Sequence, residues 1–129
     1  MKLRKLGKFG PDISPIGVGA MSFSNFYGTT TETQSHRILY AALEQGISHI
    51  DTANVYGMGL SEEIIGRFLK NNPSNFTIAT KAGIWRDSKG GNLGFRNDAD
   101  YLRAELEGSL SRLGIEQVDL FYVHRRDQS

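Results

Sequence analysis

The strongest constraint on this chain is an alternation of two hydrophobic periods along its length. Short apolar runs at 16–19, 47–51, 76–81 and 118–123 read as strands, and stretches of helical period stand between them. Thr31 and Gln34 fit a capping box, Ile38, Leu39, Ala42 and Leu43 make an apolar stripe, and Gly46 closes the first helix. The second helix reads from Ser61 as its cap. Glu62 and Glu63 lie on its positive end, and Ile64, Ile65, Phe68 and Leu69 form its buried face. Asn71-Asn72-Pro73 stops it. Asp98 caps a third helix with a stripe of Leu102, Leu106, Leu110 and Leu113, an Arg103–Glu107 pair on its wet face, and Gly114 at its end. Residues 2–14 read as a hairpin, and 82–97 as a polar, Gly-rich loop. Strand–helix alternation of this kind implies a parallel sheet with right-handed crossovers. The strands start roughly 30 to 40 residues apart, the spacing of one β/α unit.

Composition removes several classes. The chain has 129 residues, 39% hydrophobic, with 12 Leu, 10 Ile and 7 Phe, so it has material for a core and is not disordered in bulk. Its net charge of +1 argues against a nucleic-acid partner. Lys2, Arg4, Lys5 and Lys8 alternate with apolar residues and read as the solvated face of the hairpin. The lack of cysteine excludes disulfides and thiolate metal sites, and no metal is expected. No apolar run approaches about 18 residues, so no membrane partner is expected. No apolar signal core follows the N-terminus. The expectation is one cytoplasmic domain spanning 1–129.

Three successive strands end in ionisable residues: Asp51, Lys81 and His124. Parallel strands bring their C-terminal ends to one face, where such sheets bind ligands. Tyr56 lies five residues beyond Asp51, in the loop on that face. Taken singly, these residues have ordinary readings as a turn aspartate, a solvated lysine, an edge histidine and a loop-packing tyrosine. Converging on one face, they make a site. A phenol normally titrates near pH 10, and a nearby ammonium favours its phenolate. Lys81, held by Asp51, would therefore make Tyr56 a working proton donor, and His124 would orient a carbonyl oxygen. Side chains cannot deliver hydride, so a cofactor such as a nicotinamide is implied. Two glycines in the first strand, Gly17 and Gly19, point to a close approach to its backbone.

The segment from Gly46 to Glu63, Gly-Ile-Ser-His-Ile-Asp-Thr-Ala-Asn-Val-Tyr-Gly-Met-Gly-Leu-Ser-Glu-Glu, resembles the signature of the aldo-keto reductase family. Residues 16–23 resemble its first barrel strand and loop, Thr80-Lys81 its lysine strand, and 109–124 its histidine strand with the preceding helix. The resemblance implies a (β/α)8 TIM barrel, of which this chain supplies an N-terminal hairpin and the first four strands. It implies reduction of aldehydes or ketones with NADPH. Tyr56 would be the general acid, Lys81 and Asp51 would tune it, and His124 would orient the small-molecule carbonyl substrate. Gly19, Ala20 and Met21 would approach the nicotinamide, with Asp51 also near the cofactor ribose. Phe23, Phe26 and Trp85, in loops on that face, are expected to line the substrate pocket or to anchor those loops. A non-catalytic accessory subunit with the same fold is the alternative, and a self-contained flavodoxin-type domain ranks last.

A complete barrel takes about 250 residues. In the family, later strands carry the aromatic that stacks on the nicotinamide and the basic residues for the 2′-phosphate. Nothing in 1–129 resembles them, so the chain alone is expected to be inactive and to bind NADPH weakly or not at all. With its open sheet edges, the chain alone is expected to self-associate or to be only marginally stable.

Overall fold

The computed structural model describes residues 1–73 and 76–128. Arg4–Lys5 (β1) and Asp12–Ile13 (β2) form the expected antiparallel hairpin. Val18–Gly19 (β3) follows, and a short 3-10 helix over Ala20–Ser24 leads away from it. Glu32–Glu44 (α1) precedes His49–Asp51 (β4), and Leu60–Asn71 (α2) precedes Thr77–Ala82 (β5). Ile84–Arg86 (β6) pairs antiparallel with Asn92–Phe95 (β7). Ala99–Leu113 (α3) and Leu120–Val123 (β8) complete the described elements. Strands β3, β4, β5 and β8 lie side by side in that order, all parallel. With the intervening helices, this is the architecture of half a (β/α)8 barrel.

The helix boundaries follow from local chemistry. Thr31 accepts from the Gln34 N–H at 3.2 Å and Gln34 Oε1 accepts from the Thr31 N–H at 2.8 Å, closing the capping box. Asp98 caps α3 through the Tyr101 N–H, and Gly114 ends it at φ +67°. Val18, Leu39, Ile50, Ile64, Phe68, Ile78 and Leu113 form the core between the sheet and the helices. Of the expected α3 stripe, Leu113 is fully buried, whereas Leu102, Leu106 and Leu110 are half-buried. Arg103 faces Asp100, at 3.5 Å.

Two readings are corrected. Ser61 does not cap α2, because Gly57, Met58 and Gly59 all adopt positive φ and wind the chain into the helix two residues earlier, with Gly59 as the cap. Ser61 is instead fully buried. Its hydroxyl donates to the Ala20 carbonyl at 2.8 Å and lies 2.9 Å from Thr52 Oγ1. Neighbouring Glu62 is likewise fully buried, accepting from Thr80 Oγ1 at 2.5 Å and from Arg112 Nε at 2.7 Å.

Residues 82–97 are not simply a loop, because β6 and β7 make a hairpin within them. Asp87 Oδ1 accepts from the Lys89 and Gly91 N–H groups, both at 2.8 Å, and Gly90 takes φ +83° to complete the turn. Strand-favouring residues stand on both sides of the turn, Ile84 and Trp85 before it and Phe95 after it. No helix among the described residues is long and apolar enough to cross a membrane.

Candidate active site

Parallel register builds the site. Gly19 pairs with Asp51, and Asp51 with Ala79, so these positions share one sheet face. Lys81, two residues beyond Ala79, returns to that face, where it pairs with Tyr122. The opposite face carries Val18, Ile50 and Ile78 into the core and Thr80 to Glu62 of α2. The chain after β4 continues along β5: the Thr52 N–H donates to the Ala79 carbonyl at 2.9 Å and the Asn54 N–H to the Lys81 carbonyl at 3.1 Å. This ladder sets the start of the loop that carries Tyr56.

The four ionisable residues converge. The Lys81 ammonium is bonded to Asp51 Oδ1 and donates to the Thr52 carbonyl at 2.8 Å. It lies 3.5 Å from the Tyr56 hydroxyl and is largely shielded, with 15% of its side chain exposed. The His124 N–H donates to the Ala82 carbonyl at 2.7 Å, which fixes the residue at the top of β5. Its ring stands edge-on to Tyr56, with centroids 5.8 Å apart. Burial pushes the His124 imidazole below its ordinary pKa, helped by the positive charges of Lys81, Arg125 and Arg86 and opposed by Asp51. The ring is therefore neutral near pH 7, and its buried Nδ1 has no partner among the described residues.

A cleft opens beside Tyr56 and His124, walled by Met21, Phe26, Ile84 and Arg86. Of the expected pocket residues, only Phe26 lines it. Phe23 is fully buried in the core, because the 3-10 turn after β3 directs it inward. Trp85 lines a separate hollow with Tyr101, Glu105 and Arg112, which Arg86 also borders. Strand alternation in β6 turns Trp85 away from the cleft and Ile84 and Arg86 toward it. The expected cofactor residues divide too. Gly19 is exposed, and a Cβ there would meet nothing within 4 Å. Met21 lines the cleft, whereas Ala20 is fully buried and offers no side-chain surface. The close approach that glycine permits is at Gly17, just before β3, where a Cβ would stand 3.2 Å from His49.

Sequence reasoning missed Ile84 and Arg86, whose signal was hidden in the segment read as a loop. It also missed Asn54, whose amide donates to Glu105 of α3 at 2.5 Å and ties the Tyr56 loop to that helix. Among the described residues, no group of three or more His, Asp or Glu is placed to hold a metal ion.

The parallel β/α units are those of a (β/α)8 barrel, and the lysine–aspartate–tyrosine–histidine cluster lies at the ends of its strands. The aldo/keto reductase family profile matches residues 15–129, and the chain belongs to that family. It is 38% identical over 121 residues to the aldo-keto reductase yakc [NADP(+)] of Schizosaccharomyces pombe, covering 92% of this chain and 36% of that protein. It is 37% identical over 125 residues to the oxidoreductase YqkF of Bacillus subtilis, covering 96% of this chain and 39% of that one. Among solved structures it resembles the holo form of aldo-keto reductase AKR11C1 from Bacillus halodurans, with TM-score 0.78 and 36% identity over 94% of this chain and 39% of that one. It also resembles the glycerol dehydrogenase AKR11B4 of Gluconobacter oxydans, with TM-score 0.79 and 35% identity over 98% of this chain and 39% of that one. The chain thus spans well under half the length of these relatives.

Proposed function

We propose that this chain carries the acid–base machinery of an NADPH-dependent reductase of aldehydes or ketones. The observation that carries this reading is the Lys81 ammonium, bonded to Asp51 and 3.5 Å from the Tyr56 hydroxyl. Tyr56 donates its proton to the carbonyl oxygen as that oxygen gains negative charge. Lys81 stabilises the phenolate left behind, and Asp51 keeps the ammonium charged and oriented. Neutral His124 supplies a hydrogen bond that positions the carbonyl oxygen beside Tyr56.

The open strip over Gly19, next to Asp51, suits a flat ring lying on the strand ends. Gly19, Met21 and Asp51 would hold the nicotinamide end of NADPH there, and the bound cofactor supplies hydride. The name of the yakc relative, which includes NADP(+), supports this choice. The test is reduction of a panel of aldehydes by the gene-encoded protein, with NADPH oxidation as the signal, for wild type and Tyr56→Phe. Equal rates for the two would remove Tyr56 from the mechanism and favour an accessory, non-catalytic role.

A further inference from the structure

The catalytic cleft is lined by two arginines that acid–base chemistry at Tyr56 does not use, Arg86 and Arg125. We infer that they select carbonyl substrates bearing an oxyanion group, a carboxylate or a phosphate, a few atoms from the reacting carbon. This assignment rests on carbonyl reduction at Tyr56 and names the substrate class for that site.

The placement of Arg86 is built, not incidental. It ends β6, on the same side of the strand as Ile84, and the β6–β7 pairing slips register between Trp85 and Arg86. Such an irregularity re-aims a side chain. Arg86 Nη1 donates to the Gly90 carbonyl at 2.8 Å, which holds the side chain across the hairpin, while its buried Nε has no partner among the described residues. A buried N–H without a partner is uncommon and calls for an explanation.

Arg125 follows His124 and also lines the cleft. Asn97 Nδ2 donates to the Arg125 carbonyl at 3.0 Å, pinning the backbone that follows His124. Asp51 is engaged by Lys81, Asp98 by Arg96 and Glu62 by Arg112, and Glu105, which shares with Arg86 the hollow beside Trp85, accepts from the Asn54 amide. Asp87 turns back to cap the hairpin turn through the Lys89 and Gly91 N–H groups. Beyond the effect of burial, Lys81, Arg125 and Arg86 push the His124 pKa down and Asp51 pushes it up, in keeping with positive charge at this centre. Guanidinium groups bind planar or tetrahedral oxyanions through paired, charge-assisted hydrogen bonds.

The test uses matched pairs: succinic semialdehyde against butanal, and glyceraldehyde 3-phosphate against glyceraldehyde. The gene-encoded protein should prefer the anionic member of at least one pair by tenfold or more in kcat/KM, and the pair that shows it tells carboxylate from phosphate. Arg86→Gln should shrink that preference about tenfold, mainly through KM, and Arg86→Lys should restore part of it. The ratio within a pair does not depend on how much of a variant is folded. Reduction of butanal and glyceraldehyde without an anionic preference overturns this inference and leaves the proposed function standing. A preference untouched by Arg86→Gln, or a rise in KM for NADPH alone, overturns the role of Arg86. Reduction of no aldehyde removes both readings.

Discussion

Arg112 of α3 reaches across to Glu62 of α2, 2.7 Å away, and Glu62 has no exposed surface. Thr80 of β5 donates to the other carboxylate oxygen, so one buried charge links two helices and the lysine strand. Removing the cation alone would leave that charge uncompensated. Arg112→Ala is therefore expected to cost about 3–5 kcal/mol, whereas Arg112→Met paired with Glu62→Gln should cost much less. Urea denaturation of both variants checks this. Equal losses would mean that the pair contributes only packing.

Tyr56→Phe keeps the ring that packs against His124 and deletes only the proton donor. Its kcat should fall roughly 10²- to 10⁴-fold with little change in KM. Stopped-flow and steady-state assays with one aldehyde check this, and a fall confined to KM would assign Tyr56 to binding alone.

His124 gives a pH signature. Its folded-state pKa lies below the ordinary value of 6.5, so the unfolded chain takes up that proton more readily than the native one. The stability tied to neutral His124 is fully present above about pH 6.5 and is lost as pH falls through the depressed folded-state value. Thermal melting across this range should fall more steeply toward acid in the wild type than in His124→Gln. Parallel acid limbs would contradict the assignment.

Gly59 caps α2 at φ +95°, and a Cβ there would stand 2.5 Å from Arg112 Cδ. Gly59→Ala combines backbone strain with displacement of the arginine stem, and a loss of about 1–3 kcal/mol is expected. Chemical denaturation measures it. A neutral result would show that the 57–59 turn relaxes freely.

Strands β3 and β8 flank the sheet without a further strand beside them among the described residues. Tyr122 and Val123 of β8 are 39% and 51% exposed. The 129-residue polypeptide expressed alone should therefore self-associate at micromolar concentration. Light scattering that shows a monomer over that range would refute this.

Much of this was legible in the residues. Asp51, Lys81 and His124 could be placed together because parallel strands share a direction, so the ends of apolar runs locate one face without knowledge of side-chain packing. Tyr56 followed from its nearness to Asp51 in the chain. The inward turn of Phe23 was hidden, because loop residues carry no period that tells inside from outside. Ser61 misled for a related reason. A serine before an acidic pair fits a cap, and only the three left-handed residues ahead of it move the helix start. The β6–β7 hairpin was masked by its glycines and by strands of only three and four residues, too short for a period to show, although Ile84, Trp85 and Phe95 favour strands.

The outward turn of Trp85 has an optical consequence. It is the chain's sole tryptophan, 38% exposed, with the Arg96 guanidinium 5.5 Å from its ring centre. Trp85 lines a hollow other than the cleft beside Tyr56. Intrinsic emission excited at the indole band is thus a gauge of hairpin posture, and a change in colour or yield on adding a ligand signals that the 84–95 segment has shifted.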